Sequence, residues 1–166
     1  MSKENICIRP AGESDRAGVL ALAPRLAEGV APWRNHAKAL VAGRSWLEDS
    51  LAAMTEGNGT VLVADDRGVV AGVISIRPSR HFTGEDDGYI GELIVSDSAA
   101  RRGIGRALVD AADGWARDHQ LANLTLHTGA YNTGALAFYA ALGFAEEEVR
   151  LTRPVGGRLA GSRPES

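Results

Sequence analysis

Apolar and polar positions along this chain change period several times, and each change marks an element. From Ile104 the apolar residues Ala107, Leu108, Ala111, Ala112 and Trp115 recur at three- and four-residue spacing, one face of a helix over 103–118. Ala37, Leu40, Leu47, Leu51 and Met54 predict a helix over 35–55. Val19, Leu22 and Leu26 predict another over 14–28, which Pro24 should kink or end. A fourth helix is predicted over 132–142. Short strand-like runs lie between the helices: 5–9, 61–64, 69–76, 89–95 and 121–128, where Leu124 and Leu126 alternate with Thr125 and His127. Asp65-Asp66-Arg67-Gly68 between two of these runs is a hairpin signal. Residues 29–34 form a break, 78–88 a polar loop, and 144–153 a final strand region. Strands alternating with helices place the chain in the α/β (α+β) class, around a single mixed sheet.

Composition narrows the class without naming a chemistry. The 166 residues suit one domain over 1–153 with a sizeable core, followed by a Gly, Ser, Arg and Pro-rich flexible tail over 154–166. A formal net charge of −3 gives no global attraction for nucleic acid or an anionic membrane. There is no run of about 18 apolar residues and no apolar segment of a signal peptide, so the expected location is the cytoplasm. Cys7 is the only cysteine, which excludes an intrachain disulfide. Its place between Ile6 and Ile8 reads as a buried, inert thiol.

The first chemical signal is Arg101-Arg102-Gly103-Ile104-Gly105-Arg106-Ala107-Leu108, which joins the strand 89–95 to the helix at 103. A helix N-terminus carries unpaired N–H groups and partial positive charge. Gly103 and Gly105 have no Cβ, so a phosphate could approach closely, and Arg101, Arg102 and Arg106 add cationic donors. No G-x-x-x-x-G-K-[ST] run is present, and Leu108 stands where G-x-G-x-x-G needs its last glycine. On this stretch alone, a diphosphate cradle and an ordinary tight turn with solvated arginines both stay open.

The second signal is Asn132-Thr133-Gly134-Ala135-Leu136-Ala137-Phe138-Tyr139, ending in Leu142-Gly143-Phe144. With the Arg-Arg-Gly-Ile-Gly turn before it, N-x-x-A-x-x-F-Y-x-x-x-G-F resembles the GNAT N-acetyltransferase superfamily, over a core from about 60 to 153. Ile8-Arg9-Pro10-Ala11 followed by Asp15 also resembles the family's opening. One departure is Ala100, where the family's Q/R-x-x-G-x-G/A loop usually carries a polar or basic residue. The resemblance implies a mostly antiparallel mixed sheet flanked by helices. It also implies direct transfer of an acetyl group from acetyl-CoA, as co-substrate and without a metal, to an amine of a small molecule or peptide.

Roles follow from the same resemblance. Arg101, Arg102, Gly103, Ile104, Gly105 and Arg106 would hold the pyrophosphate. Main-chain N–H groups among Leu93, Ile94 and Val95 would face the thioester oxyanion. Tyr139 stands where the family's general acid stands, the bland alternative being core packing. Asn132 is an N-cap residue type and, in the family, also a cofactor contact. Glu92 interrupts an apolar strand beside the presumed thioester and is the candidate base. Its alternatives are an outward-pointing side chain or a pair with an arginine. His127 is a second base candidate, with a hydrogen-bonded structural role the more common outcome. Glu85-Asp86-Asp87 would attract a cationic amine or form a solvated turn. Trp33, Arg34, His36 and Trp46 would wall the acceptor site or pack the core. No nucleic acid or membrane partner is implied, and a homodimer stays open. A non-catalytic acyl-CoA-binding regulatory module with the same fold is the alternative reading.

Overall fold

The computed structural model describes residues 6–159. Five strands form one sheet in chain order: β1 (Ile6–Pro10), β2 (Thr60–Asp66), β3 (Val69–Arg80), β4 (Asp86–Val95) and β5 (Leu124–Leu126). The first four run antiparallel, and β5 lies parallel to β4. Helices α1 (Arg16–Ala21), α2 (His36–Thr55), α3 (Ile104–Asp118) and α4 (Thr133–Ala141) complete the layers. The sheet is mixed, as the pattern of elements implied, and mostly antiparallel, as the family resemblance implied.

Local chemistry sets the boundaries. The β2–β3 hairpin turns through Arg67 at φ 55° and Gly68 at φ 86°, and Asp65 Oδ1 accepts the Gly68 N–H at 2.6 Å. Asn35 caps α2 by accepting the Lys38 N–H at 2.9 Å. The helix expected over 14–28 is broken: 3₁₀ turns at 13–15 and 23–27 flank the short α1, and Pro24 opens the second of them. Proline lacks the N–H that would have carried the helix through.

Three expectations are corrected. β3 runs on to Arg80, which pairs with Asp86, so the loop expected over 78–88 shrinks to 81–85. β5 has only three residues instead of the eight expected. Residues 144–153 form no strand, and Val149 and Leu151 are 77% and 89% exposed. Glu146, Glu147 and Glu148 deprive that segment of a continuous apolar face, and the short β5 offers it little edge. The tail expected over 154–166 begins with a turn at 154–157, and 160–166 lie outside the described residues.

The sheet separates two apolar cores. Val19, Leu47, Val61, Val63, Val73 and Ile94 pack on the α1–α2 face. Leu62, Ala64, Ile74, Ile76, Ile90, Leu108 and Ala112 pack on the α3 face. Cys7 is exposed, contrary to the sequence reading: on edge strand β1 it points outward, and Ile6 and Ile8 turn to the α3-side core.

Candidate active site

Regular alternation fails once in β4. Ile90 and Leu93 are three positions apart, yet both join the α3-side core. The register explains this: Ile74 opposes Leu93 and Ile76 opposes Ile90, so Gly91 and Glu92 together face Ser75 alone. This is a β-bulge, and it turns the Glu92 side chain toward α2. Glu92 is 5% exposed. Its Oε2 accepts the hydroxyl of Ser50 on α2 at 2.8 Å and that of Ser75 on β3, while its N–H donates to Ser75 Oγ at 3.0 Å. Burial pushes the carboxyl above the ordinary glutamate range, against the opposing pull of the two serine hydroxyls. Glu92 therefore neither points to solvent nor closes an ion pair with an arginine.

Beyond the bulge β4 loses its neighbour on one side. β5 pairs with Gly88, Tyr89 and Ile90 only. The Ser96 N–H bonds Ala71 O at 2.9 Å, toward β3. By alternation the Ile94 N–H points the same way, and those of Leu93 and Val95 point into the gap past the end of β5. Ile94 is therefore no donor to that gap, and its side chain is 3% exposed in the α1–α2 core.

The turn into α3 stands at the end of this gap. Gly103 is the N-cap at φ 76°, no side chain caps the helix, and a Cβ on Gly103 would meet nothing within 4 Å. The first-turn N–H groups thus carry no side-chain cap, at the positive end of a 15-residue helix. Ile104 is 2% exposed and anchors the turn. The arginines divide. Arg101, at φ 63°, and Arg106 are exposed at the turn. Arg102 donates to Asp66 Oδ2 at 2.8 Å and is held against the β2–β3 hairpin. Gly105 serves packing, because the ring edge of Phe138 of α4 would lie 3.0 Å from a Cβ there.

On α4, Asn132 is the N-cap, accepting the Ala135 N–H at 3.3 Å. Tyr139 lies partly buried between Phe138 and Phe144, ring centroids 5.3 and 5.5 Å away, edge to face. Its hydroxyl makes no hydrogen bond to a described residue, and burial raises its pKa to about 12. Packing and an available hydroxyl coexist at this residue.

The residues expected on the acceptor side are placed differently from the sequence reading. Asp86 and Asp87 belong to β4: Asp86 pairs with Arg80 at 2.9 Å, and Asp87, 4% exposed, accepts from Asn123 at 2.8 Å. They are structural partners and not a free acidic lure. His127 Nδ1 lies 3.3 Å from the Tyr89 hydroxyl, a hydrogen-bonded histidine as expected. The Arg77 guanidinium stands over the Tyr89 ring at 5.0 Å. Trp33 meets Tyr131 edge to face at 5.5 Å, linking the α1–α2 connection to the β5–α4 loop. Arg34, His36 and Trp46 are exposed, so core packing does not account for Trp46.

Residues 27–144 match the acetyltransferase (GNAT) family. The chain belongs to this family. This family member is 36% identical over 112 residues to a mycothiol acetyltransferase of Kineococcus radiotolerans; the match covers 66% of this chain and 36% of that protein, so the chain spans about a third of its relative's length. The GNAT fold is shared with a GCN5-related N-acetyltransferase from Ralstonia eutropha, with a TM-score of 0.71 at 22% identity over 92% of this chain and 100% of that one. It is shared too with AAC(6')-Iy, solved in complex with the bisubstrate analogue CoA-S-monomethyl-acetylneamine, with a TM-score of 0.66 at 19% identity over 90% of this chain and 98% of that one.

Sequence reasoning missed Ser50 and Ser75. Ser75 does leave a trace, as the single polar residue in Val73-Ile74-Ser75-Ile76. Ser50 leaves none, because α2 is rich in polar positions. Among the described residues no group of three or more His, Cys, Asp or Glu is placed to hold a metal, and no helix is long and apolar enough to cross a membrane.

Proposed function

We propose that this GNAT protein transfers the acetyl group of acetyl-CoA to a primary amine of a small molecule or peptide, by direct attack on the thioester. The observation that carries the reading is Glu92, buried at a strand bulge one residue before the first of two N–H groups that β5 leaves unpaired. The α3 turn fits the cofactor's diphosphate, since its N–H groups are uncapped, the space at Gly103 is open, and Arg101 and Arg106 stand beside it. Bound there, acetyl-CoA supplies an activated acyl group and a thiol leaving group.

The chain's own groups then divide the work. The Leu93 and Val95 N–H groups donate to the oxygen that gains charge as the carbonyl is attacked. Glu92 takes the amine's proton, directly or through water. Its raised pKa brings it closer to neutral pH, where a base works best. The Tyr139 hydroxyl donates toward the departing sulfur. The mycothiol acetyltransferase relative and the CoA-analogue complex of AAC(6')-Iy support acetyl transfer from CoA; they do not single out the acceptor.

The deciding experiment is thiol release from acetyl-CoA against a panel of primary amines, alongside thermal melting with acetyl-CoA. Release with at least one amine is expected. A melting shift without release from any amine would favour the alternative, a non-catalytic acyl-CoA-binding module. No shift at millimolar acetyl-CoA would remove both.

A further inference from the structure

We propose that Ser75 is a positioning residue for acetyl transfer, pinning the β4 bulge and the Glu92 carboxyl with one hydroxyl, and that Ser50 of α2 is the second anchor. The inference rests on Glu92 being the base.

Ser75 sits in the middle of β3, 4% exposed, between two residues of the α3-side core. A buried hydroxyl is costly unless it is hydrogen-bonded. This one is used twice: it accepts the Glu92 N–H at 3.0 Å and donates to Glu92 Oε2. A bulge leaves a main-chain group without a ladder partner. Here that group is the Glu92 N–H, and Ser75 Oγ stands in for the missing carbonyl. The next N–H along the chain is that of Leu93, which faces the gap. One hydroxyl therefore fixes both the base and the backbone that aims the oxyanion donor. Gly91 makes the arrangement fit, because a Cβ there would lie 2.8 Å from Ser75 Oγ. Ser50 donates to the same carboxyl oxygen at 2.8 Å, so the placement of α2 is also coupled to the base.

A filler at this position would need only volume, as at the neighbouring isoleucines. A positioning residue moves the titration of the base. The charged and titratable groups facing Glu92 are Arg77 from β3, Asp49 from α2 and Tyr89 on β4, and Tyr89 is bonded in turn to His127 at the end of β5. Both serine bonds favour the ionised carboxyl, so loss of either moves its titration to higher pH.

The test compares Ser75→Ala, Ser50→Ala, Ser75→Thr and Glu92→Gln with the wild type. The readouts are kcat against pH, KM for acetyl-CoA, and carbon-13 NMR titration of the Glu92 carboxyl. In both alanine variants the acidic limb should move to higher pH, with kcat lower by about 10-fold along it. KM for acetyl-CoA should stay within about twofold. Ser75→Ala should also lower the plateau rate, which Ser50→Ala should not, and Ser75→Thr should restore it. If Ser75→Ala does not fold, Ser75→Cys, which keeps the size and weakens both bonds, takes its place with the same expected shifts, and the limb of Ser50→Ala decides for the second anchor. An unmoved limb and an unmoved Glu92 titration in the alanine variants would overturn the positioning role. A Glu92→Gln enzyme with the wild-type pH profile would instead overturn the base reading itself, while the NMR titration still reports whether the serines hold the carboxyl.

Discussion

The ring of Phe138 on α4 closes against the position where Gly105 of α3 would carry a Cβ. A Cβ there would lie 3.0 Å from Phe138 Cζ and 3.2 Å from Cε2. Gly103, two residues earlier, has nothing within 4 Å of its missing Cβ and adopts φ 76°. The two glycines of the Gly-Ile-Gly turn thus answer to different demands. One admits the helix that carries Tyr139, and the other leaves the helix N-terminus open.

Gly105→Ala sets two opposing effects against each other. Replacing a helical glycine by alanine gains about 1 kcal/mol in helix propensity, and crowding a seated ring costs about 1–3 kcal/mol. The change should be close to neutral, because the Phe138 ring edge is partly exposed and can give a few tenths of an ångström. Gly105→Val brings branched bulk against the same ring without that propensity gain, and should destabilise by about 1–3 kcal/mol in urea denaturation. A fully stable Gly105→Val would show that Phe138 does not rest there.

Gly103 predicts the opposite pattern, a small loss of stability and a large loss of binding. Any side chain there is strained at φ 76°, at a cost of about 1–2 kcal/mol, but its Cβ meets no protein atom within 4 Å. It would fill the space a phosphate needs. Acetyl-CoA at about 100 times its Kd should stabilise the wild type by about 2.7 kcal/mol, seen as a higher Tm. Gly103→Val should abolish that rise while the ligand-free protein stays folded. Arg101→Ala and Arg106→Ala should reduce it. Arg102→Ala should act mainly on stability, by breaking the 2.8 Å pair with Asp66. Normal binding by Gly103→Val would put the diphosphate elsewhere.

What could be read from the sequence follows from where the information is stored. The α3 and α2 periodicities, the Asp-Asp-Arg-Gly hairpin and the helix break at Pro24 are local, and the structure realises each of them. The loop at 78–88 failed because Arg80 and Asp86 become a cross-strand pair, a contact between residues whose identity suggests only a turn. Glu92 was visible as an odd residue in an apolar strand, but its direction was not. A bulge inverts the facing of a side chain, and the partner that makes it, Ser75, lies 17 residues earlier. The division between Arg101 and Arg102 was equally hidden, because Asp66 decides it from the β2–β3 hairpin, 36 residues away. Tertiary hydrogen bonds of this kind have no period to detect.

Acid should weaken the N-terminal clasp. Asp15, 7% exposed, accepts from Arg9 at 2.6 and 2.9 Å and from the Gly12 N–H at 2.7 Å. The Arg9 bonds, then that of Gly12, hold its pKa at about 2 against an ordinary 3.8. Arg9 also bonds Asp65, whose carboxyl is lowered by Gly68 and Arg9. A folded value below the unfolded one means stability that is complete above the unfolded value and drains away as pH falls toward the folded value. The window is therefore about pH 4 to 2. Asp15→Asn should cost about 1–3 kcal/mol at neutral pH, from the weakened Arg9 contact, and should flatten the fall of Tm across that window. An unchanged acid slope would place the acid sensitivity in other carboxylates.

Tyr139 is the residue whose chemistry the structure most constrains. A phenol raised to about 12 by burial stays protonated at neutral pH, which a donor requires. It is also a weak acid. A departing thiolate with an ordinary thiol pKa of about 8.5 would take its proton only uphill, by about 5 kcal/mol if the transfer were complete. On the proposed mechanism the favourable contribution is then a hydrogen bond to the sulfur as charge develops, with the proton delivered late or by solvent. That role is smaller than full general acid catalysis, whose usual worth is about 100- to 10,000-fold. Tyr139→Phe should therefore lower kcat by about 10- to 100-fold, at or below the lower limit of that range, and leave the acetyl-CoA melting shift intact. The defect should shrink with an acyl donor whose thiol is more acidic, because a better leaving group needs less help. A loss that is the same for both donors would assign the tyrosine to packing between Phe138 and Phe144. A loss near 10,000-fold would show that the proton is transferred in the transition state after all, and that bound substrate brings the phenol back toward the thiol's pKa.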